Sequence, residues 1–287
     1  MKQRFRTMIE NNRWIKGIPN SLTLCNSLCG FASILITIQA YKYANDPKAA
    51  SSVFAWSACM ILFAMVFDAF DGYAARLLNA ASMHGIQMDS LADMVTFGVA
   101  PATLVAVMAH HMRHIDTVRG FIPVCILSAV YLGCAALRLA TYNVHAIQEK
   151  KSGEKFSGLP SPGAAAAVCS LVIFVAYRDG NVGRLLRYLP WYTAVLGLLM
   201  VSSIPYVHFA KWIISTKRNK RRLAFLILML AAWLVTGIMY NPIIVPLILI
   251  NGYVIWGPLT FFAVKLGFLK PTPEMVPDIA DHKEAEL

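Results

Sequence analysis

ILFAMVFDAFDGYAARLLNAASMHGIQMDSLADMVTFGVAP, residues 61–101, is apolar helical sequence broken by four carboxylates and an arginine: Asp68, Asp71, Arg76, Asp89 and Asp93. An ionisable group at membrane depth costs a few kcal/mol to insert and by default marks a function, so this many together need a strongly stabilising partner. Oxygen-only ligation suits Mg²⁺, Mn²⁺ or Ca²⁺ and not zinc. At about 100° per residue, Asp68 and Asp71 share one helix face, as do Asp89 and Asp93 one turn apart. Two such helices offer four carboxylates to one volume. Like charges so close repel and take up protons unless a cation neutralises them. Gly72 and Gly85 leave room for a bulky ligand at the backbone, and Arg76 offers a forked donor that matches phosphate. The reading is a metal–diphosphate pocket, in which two ions could clamp an in-line displacement at phosphorus.

Outward from this stretch the chain is a membrane protein. Hydrophobic residues make up 57% of its 287 residues and charged residues 14%, the reverse of a soluble enzyme's balance. Apolar windows at about 22–44, 51–70, 90–109, 121–137, 159–177, 188–210, 223–239 and 242–264 each approach the roughly 20 residues needed to span the hydrocarbon. They predict an all-α polytopic fold of about eight transmembrane helices. The net charge of +11 invites a nucleic-acid partner, but the basic residues are sorted by loop, as topology signals are. Most of the 26 lysines and arginines fall in the first 17 residues, at Arg76, between Arg138 and Lys155, between Lys211 and Arg222, and in the tail. That bias places both termini and the aspartates on the cytoplasmic side, with no nucleic acid expected.

The first 17 residues mix basic and apolar side chains, a pattern for a helix lying on anionic lipid or for a frayed basic tail. Pro19 and Asn20 open the first span, where a missing N–H costs little. Asn20, Thr23 and Asn26 sit at the level of the aspartates and are candidates for shaping a nucleotide site. Arg138 to Pro162 reads as the longest cytoplasmic loop. His110, His111 and His114 read as part of an exposed outer loop, and the six cysteines as buried apolar residues without a disulfide framework.

The layout Asp-x2-Asp-Gly-x2-Ala-Arg-x8-Gly-x3-Asp-x3-Asp, from Asp68 to Asp93, resembles without gap or substitution the signature of the CDP-alcohol phosphotransferases. The resemblance implies that Asp68, Asp71 and Asp89 are metal ligands and that Asp93 completes the metal site and acts as general base. It implies that Gly72, Ala75, Arg76 and Gly85 hold cytidine diphosphate, together with Asn20, Thr23 and Asn26 as read above. It further implies two Mg²⁺ or Mn²⁺ ions, a homodimer, and a prokaryotic-type cell membrane. The family's six-helix core would occupy 18–210, after an arm at 1–17 and before two added spans at 211–264 and a tail at 265–287.

Flanking runs are similar to the phosphatidylserine synthase branch: Pro19-Asn20-x2-Thr23-x2-Asn26, Asp89 to Pro101, Arg138-Leu-Ala-Thr-Tyr-Asn143 and Gly158-Leu-Pro-Ser-Pro162. Thr141 and Tyr142 depart from that branch's form. The branch implies CDP-diacylglycerol and L-serine as substrates and CMP as product. A cation at the same level would hold the serine carboxylate, with Arg138 the best placed and Lys155 second. Glycerol 3-phosphate, inositol phosphate or choline are the alternative acceptors. A cation transporter is the alternative of another class, although it has no need of the glycines and Arg76 at these spacings.

Overall fold

The computed structural model describes residues 13–78, 83–148 apart from 114 and 116, 158–178, 183–206 apart from 205, and 244–268 apart from 267. Within them the protein is all-α, with no strand among the described residues. Helix α1 runs Arg13–Gln39 and tightens into a 3₁₀ turn at Ala40–Tyr43. Helix α2 spans Pro47–Leu77 and α3 Met83–Met112. The remaining helices are α4 (Val118–Gln148), α5 (Ser161–Tyr177), α6 (Gly183–Val201) and α7 (Ile244–Lys265). Five are long and apolar enough to cross a membrane: the segments Pro19–Tyr43, Pro47–Ala75, Met83–Met112, Val118–Val144 and Ile244–Lys265. Helices α5 and α6 are shorter but apolar. The window at 223–239 lies outside the described residues.

Local sequence explains where helices begin. Asp46 caps α2, its Oδ1 accepting the backbone N–H groups of Lys48 and Ala49 at 3.1 Å each, with Pro47 at the first helical position. Helix α5 starts behind Pro160 and carries a proline in its first turn, where no N–H bond is lost.

Helix α1 begins at Arg13, and its membrane-crossing segment opens at Pro19. Two expectations change. The segment Arg138 to Gln148 is helical and not loop. Arg, Leu and Ala are strong helix formers, and the buried Arg138 finds a protein partner within the bundle. His110 and His111 likewise form the last turn of α3; His111, 9% exposed, packs edge-on to Tyr41 and Phe54.

Without water, helix association in a bilayer depends on close packing and interhelical hydrogen bonds. Helices α1 and α2 pair through a buried hydroxyl cluster: Ser33 Oγ lies 2.8 Å, and Thr37 Oγ1 2.6 Å, from Ser57 Oγ. Helix α5, with Ala164 to Ser170 buried throughout, forms the centre and packs on α2 and α7; α4 packs on α6. Helix α7 is pinned to this centre by Asn251, which donates to Ser170 Oγ of α5 at 3.3 Å and accepts the Tyr192 hydroxyl of α6.

Candidate active site

Helices α2 and α3 carry the signature, and α1 lies against both. The α1–α3 approach is set by Gly30: a Cβ there would lie 2.5 Å from Thr96 Oγ1 and 2.8 Å from Thr96 Cα, so only glycine allows this separation. At that distance Thr96 Oγ1 donates to the Asn26 carbonyl (3.0 Å), and Asn26 Nδ2 donates to Asp93 Oδ1 (3.3 Å). The position of Asp93 is thus fixed through a buried asparagine from another helix.

Asp93 also ends the regular part of α3. Residues Met94–Val99 form a π-helical segment, closed by the Ala100 N–H on the Val95 carbonyl. Pro101 has no N–H to return to the Phe97 carbonyl four residues earlier, and that carbonyl accepts the Tyr131 hydroxyl of α4 at 2.9 Å. Widened turns of this kind often accompany functional sites because they re-aim the side chains beside them. Nothing in the hydrophobic pattern marks the π segment; Pro101 is the one sequence signal that could have found it.

The carboxylates converge. Asp68, Asp71 and Asp89 each present one oxygen such that all three lie within 4.8 Å of one another. Asp93, one turn beyond Asp89 on α3, is not among the three that meet at this distance, but it lies within electrostatic range of all of them. Asp71 is 4% exposed, with Thr23 and the Gly72 backbone N–H directed at its carboxylate. The Pro19 carbonyl, 3.0 Å from Thr23 Oγ1, competes for the same hydroxyl proton. Three buried acceptor oxygens around the set, Asp71 Oδ2, Asp89 Oδ1 and Asn26 Oδ1, have no hydrogen-bond partner. Buried acceptors without a donor are costly, and a hard divalent cation with oxygen ligands satisfies that donor set. The residues present therefore fit the metal that the signature implies.

The other candidates fall in different places. Asn20 and Ala75 are half-buried on α1 and α2, at the same end as the aspartates. Gly85 lies in the first turn of α3, and Arg76 is in the last turns of α2, its side chain outside the described residues. Lys155 is outside them as well. Arg138 is 7% exposed and its Nη1 donates to the Met200 carbonyl at 2.8 Å, joining α4 to the end of α6. Ser90, next to Asp89, donates to Asn143 Oδ1 at 2.7 Å and so links α3 to α4. Sequence reading quoted Ser90 and Asn143 within runs but assigned neither of them, because a bond across 53 residues leaves no local pattern.

A CDP-alcohol phosphatidyltransferase family model matches residues 16–200. The chain belongs to this family. It is 30% identical, over 88% of its length and 97% of the relative's, to the CDP-diacylglycerol–serine O-phosphatidyltransferase of Helicobacter pylori. It is 34% identical to the enzyme of that name from Bacillus subtilis, over 68% of the chain and 92% of the relative. It is 32% identical to the archaetidylserine synthase of Methanothermobacter thermautotrophicus, over 66% of the chain and 69% of the relative. This family member is an integral membrane enzyme that transfers a phosphatidyl group to an alcohol. The convergent carboxylates are its metal candidates.

Proposed function

We propose that the protein transfers the phosphatidyl group of CDP-diacylglycerol to L-serine, giving phosphatidylserine and CMP at the cytoplasmic face of the membrane. The observation that carries this reading is the meeting of Asp68, Asp71 and Asp89 from two helices within 4.8 Å, with Asp93 beside them. The relatives named CDP-diacylglycerol–serine O-phosphatidyltransferase support the choice of acceptor.

Asp68, Asp71 and Asp89, with Asp93 completing the set, would hold Mg²⁺ or Mn²⁺. When bound, divalent metal neutralises charge on the diphosphate and on the departing CMP. Arg76, Gly72, Ala75 and Gly85 seat the cytidine diphosphate, and Asn20, Thr23 and Asn26 shape its surroundings. Arg138, with Lys155, holds the serine carboxylate.

Serine's hydroxyl is a weak nucleophile near neutral pH, so a base has to take its proton as it attacks. Asp93 is that base. Its Oδ1 accepts the Asn26 amide, which fixes the direction of the carboxylate. The serine Oγ–phosphorus bond forms, the phosphorus–oxygen bond to CMP breaks, the hydroxyl proton passes to Asp93 and CMP leaves as the anion. The acyl chains stay in hydrocarbon, while serine and CMP exchange with the cytoplasm.

The test is CMP release by purified protein given CDP-diacylglycerol and Mn²⁺ or Mg²⁺, with serine, glycerol 3-phosphate, inositol phosphate and choline supplied in turn. Release with serine alone is expected. Release with another alcohol and none with serine overturns the acceptor assignment.

A further inference from the structure

Tyr131 of α4 is fully buried, and its hydroxyl donates to the Phe97 carbonyl at 2.9 Å. That carbonyl belongs to the π segment that follows Asp93. A proline in a helix returns no N–H to the carbonyl four residues earlier, and its ring clashes with that carbonyl in regular α-geometry. At Pro101 the turn is open, and the Phe97 carbonyl needs a donor from elsewhere. In hydrocarbon no water supplies one; the Tyr131 phenol does, from a neighbouring helix.

The phenol is held in place from behind. Gly197 of α6 lets that helix come so close to α4 that a Cβ there would lie 2.8 Å from Tyr131 Cα. Gly98, next to Phe97, faces α4, where a Cβ would meet Leu132 Cδ1 at 3.5 Å and Ala135 Cβ at 3.6 Å. Tyr131 thus braces the π segment from a helix that is itself backed by α6.

The π segment is tied to Asp93 through one residue of α1. Thr96, inside the segment, donates to the Asn26 carbonyl at 3.0 Å, and the Asn26 amide donates to Asp93 Oδ1 at 3.3 Å. Asp93 and Thr96 therefore reach the same asparagine, one at its side chain and the other at its backbone. The winding of the turn between them decides whether both bonds form together. Rewinding the segment to an α-helix would rotate Thr96 relative to Asp93 and set the two bonds against each other.

We propose that Tyr131 is a positioning residue for the phosphatidyl-transfer step: its hydroxyl holds the π turn open, and the turn, through Thr96 and Asn26, keeps the Asp93 carboxylate aimed at the acceptor hydroxyl. The inference rests on the reading of Asp93 as the general base.

The full-length protein in lipid nanodiscs is given CDP-diacylglycerol and Mn²⁺. Its single-turnover rate with saturating serine is divided by the CDP-diacylglycerol bound at equilibrium. Wild type is compared with Asp93→Asn, Asn26→Ala, Tyr131→Phe and the Tyr131→Phe, Asn26→Ala double variant. Tyr192→Phe, which removes a phenol bonded to Asn251 away from the π segment, is the control and keeps the wild-type rate per bound lipid. Tyr131→Phe keeps the ring and is expected to lower that rate about fivefold, the scale of one hydrogen bond. The serine concentration that half-saturates the rate stays within about twofold, and the double variant stays within about twofold of Asn26→Ala alone. Thr96→Val, which removes the next hydroxyl of the chain and keeps its shape, lowers the rate in the same way. If Asp93→Asn is slow while Tyr131→Phe and Thr96→Val keep the wild-type rate, the role of Tyr131 is refuted and the Asp93 reading stands. A wild-type rate in Asp93→Asn removes the base reading and this inference with it. Fully additive losses in the double variant overturn the proposal, because Tyr131 then does not act through Asn26. Loss of folded protein or of bound lipid in Tyr131→Phe, with a wild-type rate at the sites that remain, shows a structural role and also overturns it.

Discussion

At Asp93 several constraints meet: the last regular turn of α3, the Asn26 amide from α1 and three neighbouring carboxylates. A general base contributes roughly 10²- to 10⁴-fold to a rate. Asp93→Asn is therefore expected to lower turnover by at least about 10²-fold while CDP-lipid still binds, as read by single-turnover assay beside equilibrium binding. Normal turnover at saturation with only binding lost would remove Asp93 from the base role. Asn26→Ala removes the hydrogen bond that directs the Asp93 carboxylate, so kcat should fall about tenfold, as read by steady-state assay. The four aspartates, their shared faces and the need for a cation were legible in the sequence because helical periodicity and the cost of burying charge are local arguments. The Asn26–Asp93 bond was not, since it depends on how closely two helices approach.

At the scale of elements, that approach is set by glycine. Gly30→Ala puts a methyl group where Thr96 already sits, and overpacking of this kind costs about 1–3 kcal/mol. Its melting temperature in detergent should fall, and activity should fall with it as Asn26 moves away from Asp93. Gly158→Ala faces a positive φ and the Met200 carbonyl together, so it should destabilise the α4–α6 junction by more than about 1–2 kcal/mol, again visible in thermal unfolding. The apolar windows located the described helices well, but their ends were read too short. Arg138 was taken as the start of a loop, whereas the structure keeps it helical and gives it a buried partner, the Met200 carbonyl. The π segment had only Pro101 to announce it.

At the scale of the whole molecule, the carboxylates and their polar partners gather at one end of the bundle, where α2 ends, α3 begins and α4 ends. We propose, from the distribution of lysine and arginine, that this end faces the cytoplasm. In a cysteine-free background, Thr117→Cys between α3 and α4 should react with a membrane-impermeant thiol reagent from outside intact cells, and Lys265→Cys only after permeabilisation; the reverse pattern would invert the topology.

The central claim is that acidic groups from α2 and α3 hold one divalent metal site between them, and it can be measured without turnover. Mn²⁺ is titrated into the purified, metal-free protein and followed by electron paramagnetic resonance, in wild type and in Asp68→Asn, Asp71→Asn and Asp89→Asn, each checked for intact folding. Wild type is expected to bind Mn²⁺, and each of the three variants to lose or strongly weaken that binding. Unaltered Mn²⁺ binding in all three folded variants would contradict it.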